Sequence, residues 1–210
     1  MQDLTSVTTS TVRPPGPISD DDPAFGPKKF HWTRDEYYRI AELGVFEGKR
    51  VELIEGEIIE MAPMGSIHAT VIAIVSEILR EHFHEGYHVR SQSPLDVDKF
   101  SQPEPDVAVL PGRSRNYLEG HPKSLALAVE VSVSSISLDR EIKTRLYAKA
   151  GIEDYWIVNI NEKCVEVYRK PFNDPEKGFI YREQAVFGAD QSISPLAKPE
   201  VLIKVADILP

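Results

Sequence analysis

The stretch LALAVEVSVSS, residues 125–135, has the pattern of a β-strand that is buried on both faces. Side chains alternate along a strand, so the odd-numbered residues from Leu125 to Val133 are predicted to share one apolar face. The two alanines between them make the opposite face apolar, and Glu130 lies on that face. A buried carboxylate is costly unless it is paired, protonated or bound to a cation. The fold and the function both depend on what Glu130 contacts.

The composition is typical of one soluble globular domain. The chain has 210 residues, 41% hydrophobic and 27% charged, and no apolar run reaches the roughly 18 residues of a membrane span. The net charge of −9 argues against a protein that coats nucleic acid, because such binding depends on Lys and Arg. Cys164 is the single cysteine, and no basic and hydrophobic leader is visible, so we expect a cytoplasmic protein without membrane attachment.

The sequence predicts a flexible arm followed by a single α/β domain. Residues 1–29 are rich in Ser, Thr, Pro and Asp, which is typical of a disordered segment. Residues 30–210 contain strand patterns around two principal helices, predicted from Ser66 to His82 and from Leu138 to Ala150. A shorter helix is predicted to begin at a capping box, Thr33 to Glu36, and to end at Leu43-Gly44. Strands are predicted at 50–56, 57–63, 87–90, 95–97, 106–110, 125–135, 154–160, 163–170, 178–187 and 201–209.

Two carboxylates interrupt or begin apolar strands. Asp106 follows Pro103 and Pro105 in PEPDVAVL, and the prolines give it a rigid, extended approach to its strand. The alternative is a turn aspartate that caps nearby amides. Glu130 is the second carboxylate, and its alternative is a buried glutamate paired with Arg or Lys.

Lys143 and His68 are the other two polar residues on otherwise apolar elements. Lys143 lies in SLDREIKTRLYAKAG, where it shares a helix side with Tyr147. Its alternative is a solvent-facing lysine. His68 lies one turn into the helix that begins at Ser66, and its alternative is a boundary histidine satisfied by hydrogen bonds.

Together these residues predict a metal site. Oxygen ligands from two adjacent strands suit Mg²⁺, which keeps several waters and takes one or two carboxylates. Such a metal can stabilise charge on a phosphoryl oxygen and activate a bound water. Lys143, thirteen residues after Glu130, can position that water or neutralise developing negative charge.

The sequence resembles the Uma2 family, which belongs to the PD-(D/E)XK nuclease superfamily. The resemblance runs from about Phe30 to Pro210 and rests on VELIEGEIIEMAP, His68, PEPDVAVL, LALAVEVSVSS and EIKTRLYAKAGIEDYWIV with the following VEVYRK. It implies a restriction endonuclease-like core, a central mixed β-sheet flanked by helices, with an additional N-terminal β-hairpin and C-terminal strands. It also implies a Mg²⁺-dependent endonuclease, with Mn²⁺ as a substitute and DNA as the expected substrate.

The resemblance assigns roles to individual residues. Asp106 matches the PD aspartate and Glu130 the acidic residue of the second half-motif, and both would ligate the metal with the backbone carbonyl of Val131. The superfamily lysine normally lies two residues after the acidic residue, but Ser132 occupies that position here. Lys143 matches the lysine that Uma2-like sequences carry on the following helix.

Further residues are candidates for supporting roles. Glu52, Glu57, His68 and Tyr147 are possible accessory residues, for example for a second metal or a water; the alternative for the glutamates is a hairpin surface. The candidates for binding nucleic acid are Arg113, Arg115, Arg140, Arg145 and Lys149, which could flank one cleft. The alternative is an ordinary charged surface without a ligand.

Two alternatives to an active nuclease remain open. One is a nuclease-fold module with little or no turnover that binds nucleic acid or a protein partner. The other is a structural role in which Glu130 and Lys143 form a buried ion pair. A homodimer is a further expectation, in which the strands at 163–170 and 178–187 could supply a sheet edge.

Overall fold

The structure is a computed structural model that describes residues 27–210. The predicted flexible arm at 1–29 falls almost entirely outside the described residues, and the boundary at residue 30 stays a prediction. Residues from His31 to Pro210 form one compact unit. No helix in this part of the chain combines the length and the apolar character needed to cross a membrane.

Ten strands and four α-helices make up the described chain. In chain order they are α1 (Arg34–Glu42), β1 (Val51–Ile54), β2 (Glu57–Glu60), α2 (Ser66–His82), β3 (Tyr87–Ser91), β4 (Val107–Pro111), β5 (Leu127–Ser132), α3 (Thr144–Lys149), β6 (Asp154–Asn159), β7 (Cys164–Asp174), β8 (Gly178–Gly188), β9 (Ser192–Ile193), β10 (Ile203–Lys204) and α4 (Val205–Ile208). A 3₁₀ turn covers Ser114–Tyr117, and a π-helical turn, Leu138–Lys143, leads directly into α3.

Six strands form a central mixed sheet in the order β3-β4-β5-β6-β7-β8. β5 and β6 are parallel, and the other neighbours are antiparallel. A parallel pair needs a crossover connection, which the π-helical turn and α3 supply. Two small antiparallel sheets, β1–β2 and β9–β10, accompany the main sheet. This is the α/β arrangement that the sequence predicts, with its N-terminal hairpin and C-terminal strands.

The central sheet is covered on both faces. On one face, apolar residues of α2 and α4, among them Val71, Val75 and Ile208, form one cluster with inward-facing residues of the sheet. On the other face, α3 contributes Tyr147 to a second cluster that includes Tyr155. All six residues of β5 are buried, so the prediction of a strand buried on both faces is confirmed.

The predicted alternation of side chains holds only within β5. Leu127 and its odd-numbered neighbours in the strand lie in the α2-side cluster, and Ala128 lies in the α3-side cluster. Leu125 packs with the α3-side cluster and Ala126 against the α2-side cluster, which is the reverse of the prediction. Both residues precede the strand, where the pleat does not impose alternation.

Two predicted strands are wrong. Residues 95–97 form no strand, because the amides of Leu95 and Asp96 donate to the carbonyls of Pro103 and Pro122, and prolines have no N–H to continue a ladder. At 201–209 the strand is limited to Ile203–Lys204, and α4 follows. Its apolar residues recur at the three- and four-residue spacing of a helix.

One helix and one sheet edge also differ from the predictions. The helix predicted from Leu138 begins as a π-helical turn, in which the amide of Thr144 donates to the carbonyl of Asp139. β7 lies inside the sheet between β6 and β8, so residues 163–170 cannot supply a free edge. β8 is an edge strand, and a homodimer through it stays a prediction.

The β1–β2 hairpin turns through two residues with positive φ, Glu55 at 51° and Gly56 at 82°. Such a turn matches the right-handed twist of the two strands. A Cβ added to Gly56 would lie 2.6 Å from the Cβ of His31, whereas a Cβ added to Gly48, at φ 73°, meets nothing within 4 Å.

We predict that Gly56→Ala lowers the free energy of unfolding by about 2–4 kcal/mol, and Gly48→Ala by about 1–2 kcal/mol. Both variants place a side chain at positive φ, and only Gly56→Ala adds a steric clash. Urea unfolding followed by circular dichroism measures both. Equal losses in the two variants would contradict the close packing of His31 on the turn.

Candidate active site

A cleft of about 360 Å³ opens beside the start of β4 and the end of β5. Its lining brings together residues from the β1–β2 hairpin, the start of α2, β5 and the π-helical turn. The acidic residues that line it are Glu52, Asp106, Glu130 and Asp139, and the basic ones are Arg50, His68 and Lys143.

Asp106 immediately precedes β4 and is 5% exposed. Its Oδ2 accepts a hydrogen bond from the amide of Val131 at 2.9 Å and lies 3.0 Å from His68 Nε2. Its Oδ1 has only the side-chain amide of Gln92 near it, at 3.3 Å. Burial opposes ionisation, but the His68 hydrogen bond and the charge of Lys143 outweigh it and hold the pKa of Asp106 below its usual value.

Glu130 lies on the face of β5 that α3 covers. Its Oε1 accepts hydrogen bonds from Lys143 Nζ at 3.0 Å and from the Tyr147 hydroxyl at 2.5 Å. Its Oε2 receives only a long contact from the amide of Asp106, at 3.4 Å. Burial raises the pKa of Glu130 well above its usual value, although the charge of Lys143 acts in the opposite direction. Lys143 is therefore the charge that favours the ionised form of this carboxylate.

The Lys143 ammonium is 2% exposed and lies between two carboxylates. Besides Glu130 it contacts Glu52, whose Oε2 is 3.4 Å from Nζ. Burial alone would lower the pKa of Lys143, but Glu130 and Glu52 outweigh burial and raise it above its usual value. Lys143 is therefore a fixed positive charge in the cleft, not the solvent-facing lysine of the alternative interpretation.

Among the described residues, one carboxylate oxygen of Glu52 has no hydrogen-bond partner. The side chain is 1% exposed, and its Oε1 is buried without a hydrogen bond, while Oε2 accepts from the amide of Glu104 at 3.3 Å. A buried, unpaired carboxylate oxygen costs free energy. Such an oxygen in a cleft with other carboxylates is a suitable ligand for a cation.

Two residues of the cleft are missed by sequence reasoning. Asp139 is 2% exposed and accepts a hydrogen bond from the Ser135 hydroxyl at 2.7 Å; burial raises its pKa, and Lys143 counteracts that rise. Arg50 approaches the cleft from the residue before β1, with Nη1 3.1 Å from the terminal amide of Gln92. The only sequence signal for Asp139 is its four-residue spacing from Lys143, and Arg50 has none.

The structure brings some predicted residues together and separates others. Asp106, Glu130, Lys143, Glu52, His68 and Tyr147 meet in or directly behind the cleft, and Val131 is joined to Asp106 through its amide. Glu57 is exposed on β2 and does not line the cleft.

The basic residues predicted to flank the cleft do not line it. Arg113 and Arg115 follow the far end of β4, opposite the end that carries Asp106. Neither Arg145 nor Lys149 lines the cleft, and Lys149 Nζ pairs with Asp98 at 2.6 Å. The expectation that these residues flank the cleft and bind nucleic acid stays a prediction.

Arg140 is also committed to an ion pair. Its guanidinium contacts Glu166 through Nε at 3.0 Å and through Nη2 at 2.6 Å. Glu166 belongs to the one group of three metal-ligand side chains within 4.8 Å of one another that the described residues contain, Glu162, Cys164 and Glu166. Because Arg140 already neutralises this group, it is a poor site for a cation.

Comparisons with known proteins agree with this geometry. The family model described as Uma2, putative restriction endonuclease, matches residues 34–206. The chain belongs to the Uma2 family. A solved structure described as a putative nuclease belonging to DUF820, from Anabaena variabilis ATCC 29413, is similar with a TM-score of 0.66. It is 19% identical, and the match covers 84% of this chain and 97% of that chain. The curated proteins contain no significant match.

The resemblance and the fold predicted from the sequence are therefore confirmed. The family and the fold are those of a restriction endonuclease-like nuclease, and at 19% identity the solved structure supports the fold alone. The cleft lies where the family motifs meet, at the start of the PEPDVAVL strand and beside Glu130.

The donor set of the Uma2 cleft fits a divalent cation held by one or two carboxylates and water, because no three described ligand side chains of the cleft bring donor atoms within 4.8 Å of one another. Its carboxylates outnumber its Arg and Lys residues by two among the described residues. Asp106 Oδ1, Glu130 Oε2 and Glu52 Oε1 each lack a strong hydrogen bond. Carboxylate oxygens are the ligands that Mg²⁺ prefers, and one divalent ion would offset the excess negative charge.

We predict that Arg140→Met lowers the free energy of unfolding by about 2–4 kcal/mol, because it leaves the buried Glu166 without its cation. The matched control is Arg145→Met, which changes an exposed residue on the same segment and should cost under about 0.5 kcal/mol. Chemical denaturation at pH 7 measures both. Similar losses would show that the Arg140 pair contributes nothing.

The effect of Arg140→Met depends on pH. Burial opposes ionisation of Glu166, but Arg140 and two further hydrogen-bond donors outweigh it and lower the pKa below the ordinary value of 4.5. A lowered folded-state pKa contributes stability above the unfolded-state pKa, and that contribution is lost as the pH falls through the folded-state pKa. The gap between wild type and variant should therefore shrink below about pH 4. A gap that stays constant to pH 3 would contradict the ion pair.

Proposed function

We propose that this Uma2 chain is a divalent-metal-dependent endonuclease that hydrolyses phosphodiester bonds of nucleic acid, with DNA as the expected substrate. One observation carries the proposal. Asp106, Glu130 and Glu52 line one cleft beside the buried ammonium of Lys143, and each has a carboxylate oxygen that lacks a strong hydrogen bond. This combination of hard ligands and a fixed cation suits phosphoryl chemistry.

Asp106 and Glu130 would hold the metal, with the carbonyl of Val131 as the third protein ligand. Mg²⁺ is the expected ion and Mn²⁺ its substitute, because both take oxygen ligands. A metal bound there supplies Lewis-acid stabilisation of a phosphoryl oxygen and a more acidic water. Glu52 is a candidate ligand for the same ion or for its waters, since its Oε1 has no protein partner.

Lys143 would act on the reacting phosphate through charge and hydrogen bonding. Its ammonium is held by Glu130 and Glu52, so its position is fixed before substrate binds. A preorganised cation stabilises negative charge that develops in the transition state, at little cost of reorganisation. It can also orient a water molecule for attack. The Lys143 position therefore replaces the lysine that the superfamily pattern places at Ser132.

Tyr147 and His68 position the two carboxylates. Tyr147 donates to Glu130 Oε1, as does Lys143, which leaves Oε2 as the oxygen available to a ligand. His68 Nε2 and the Val131 amide both contact Asp106 Oδ2, which leaves Oδ1 available in the same way. In Glu130 and in Asp106, hydrogen bonds thus hold one carboxylate oxygen in place, and the other oxygen is available to a ligand.

A purely structural ion pair explains less of the cleft. Glu130 and Lys143 do form such a pair, at 3.0 Å. One lysine cannot balance Glu52 and Asp139 as well, and both are buried in the same cleft. Leaving carboxylates in excess destabilises a protein unless a ligand uses them. The surplus therefore favours a metal site over a structural pair.

We predict that Mg²⁺ or Mn²⁺ binds the wild type and raises its melting temperature, because a ligand of the native state stabilises it. Asp106→Asn and Glu130→Gln should lose the shift, since each removes one negative ligand with little change of shape. Isothermal titration and thermal unfolding, with and without EDTA, measure this. The matched control, Glu57→Gln on the adjacent exposed strand, should keep the wild-type shift. No metal binding by the wild type would sink the metal-site proposal.

We predict that the wild type cleaves nucleic acid only with the metal, and that Asp106→Asn, Glu130→Gln and Lys143→Met lower the rate at least about 100-fold. Lys177→Met, at an exposed lysine outside the cleft, serves as the control. The assay follows cleavage of plasmid and single-stranded DNA and of RNA. Metal binding without cleavage of any of them would favour the inactive binding module.

A further inference from the structure

One side of the cleft is apolar. The residues between β2 and the first turn of α2 contribute Met61, Ala62, Pro63 and Ile67, and Val133 lies after β5. We call these five residues the apolar wall. Ile67, in the first turn of α2, is 53% exposed. Binding sites for small organic groups typically combine such a surface with a few polar groups.

The reactive groups lie at the bottom of the cleft. Glu52 and Glu130 are each 1% exposed and Lys143 is 2% exposed. A phosphodiester has to enter the cleft to reach them. A cavity of about 360 Å³ lies at the lower end of the roughly 300–1,000 Å³ of small-molecule sites, a size that suits one nucleotide unit.

The lining of the cleft carries few basic residues that could hold a duplex. Among the described residues, Arg50 and Lys143 are the only arginine and lysine that line the cleft, and Lys143 is bound by two carboxylates. Arg140 and Lys149 are held in ion pairs with acidic residues. Proteins that track a duplex backbone neutralise several phosphates with Lys and Arg. Of these two cations in the described lining, Lys143 is already engaged by carboxylates.

We propose that the cleft accepts an unpaired nucleotide, as found in single strands, flaps or locally melted duplexes, with the base on the apolar wall and the phosphate at the carboxylates. This inference rests on the proposed nuclease function and adds the structural class of the substrate. A base can lie against apolar side chains only where it is unpaired or turned out of its stack, and such stacking contacts are typical of single-strand binding. Apolar side chains contact any base face, so the preference is for strandedness and not for sequence.

The first test compares three DNA substrates of the same sequence with Mg²⁺: a single strand, a blunt duplex, and a duplex with an internal unpaired segment. We expect the single strand to be cleaved at least about 10-fold faster than the blunt duplex, and the third substrate to be cut in its unpaired segment. Equal or faster cleavage of the blunt duplex overturns the inference and leaves the nuclease function intact. Cleavage of none of them overturns both.

The second test changes the apolar wall. Met61→Ala combined with Ile67→Ala should raise KM for the single strand about 5- to 20-fold, while the Mg²⁺-dependent thermal shift stays at its wild-type size. The control is Leu118→Ala, an equally apolar change at a residue that is 80% exposed and follows the 3₁₀ turn beyond the far end of β4. An unchanged KM in the wall variant overturns the proposed base contact.

Salt dependence gives an independent readout. With few basic residues in the described lining and a bound metal, the plot of log affinity against log salt for the single strand should have a slope of about −1 to −2. A slope steeper than about −4 shows that many basic residues contact phosphates, and this result also overturns the inference.

Discussion

The site depends on the buried ammonium of Lys143, which lies between Glu130 and Glu52. Removing three charged groups from water is expensive, and their mutual attraction offsets the cost only when the geometry is good. The fold supplies that geometry through its one parallel strand pair. Because β5 and β6 run parallel, the chain must cross back over the face that carries Glu130. The crossover delivers Lys143 and Tyr147 to the same carboxylate oxygen.

The π-helical turn before α3 determines which side chains of this crossover reach the cleft. The carbonyl of Asp139 accepts from the amide and hydroxyl of Thr144 and from the hydroxyl of Tyr155. One extra residue in the turn changes which side chains face the sheet, so that Asp139 and Lys143 are both buried at the cleft. A π-helical turn has weaker backbone geometry than an α-helix, and such turns are frequent at functional sites. Here the turn adds the carboxylate of Asp139 to the other three carboxylates of the cleft.

The sequence predicts the centre of the site because local patterns carry that information. A carboxylate inside a strand that is apolar on both faces has to meet a partner, and Asp106 after two prolines can be placed at a strand start without knowing the fold. The ion pair of Arg140 could not be predicted, for the opposite reason. Its partner Glu166 is 26 residues away, and no periodicity shows which surface arginine finds a buried carboxylate. The burial of Asp139 could not be predicted, because SLDREIK has the pattern of an ordinary α-helix and the π-helical turn arises from its tertiary hydrogen bonds.

The faces on which Leu125 and Ala126 lie, before β5, and the conformation of residues 95–97 also could not be predicted from local sequence. Leu125 is apolar and adjacent to a strand, so alternation assigns it to a face, but the pleat begins only at Leu127. Leu95 has a strand-like pattern, but its hydrogen-bond acceptor is the carbonyl of Pro103, which no pattern in its own neighbourhood reveals. Local sequence fixes which residues are buried, and long-range hydrogen bonds decide the conformation in which they are buried.

The acidic character of the chain has a physical explanation within the proposed nuclease. A polyanionic substrate is repelled by a protein with net charge −9 unless positive charge is concentrated at the point of contact. Several described basic residues are paired with acidic partners: Arg140 with Glu166, Lys149 with Asp98 and Lys143 with Glu130. In the proposed nuclease, a bound divalent ion would add attraction for one phosphate and not along a backbone. Affinity then needs a second contribution from the same nucleotide, and the apolar wall beside the carboxylates can supply it through the base. Under the proposed function, the excess of carboxylates and the few Arg and Lys residues in the described lining have one explanation, in which a bound metal ion would supply the positive charge that the lining lacks.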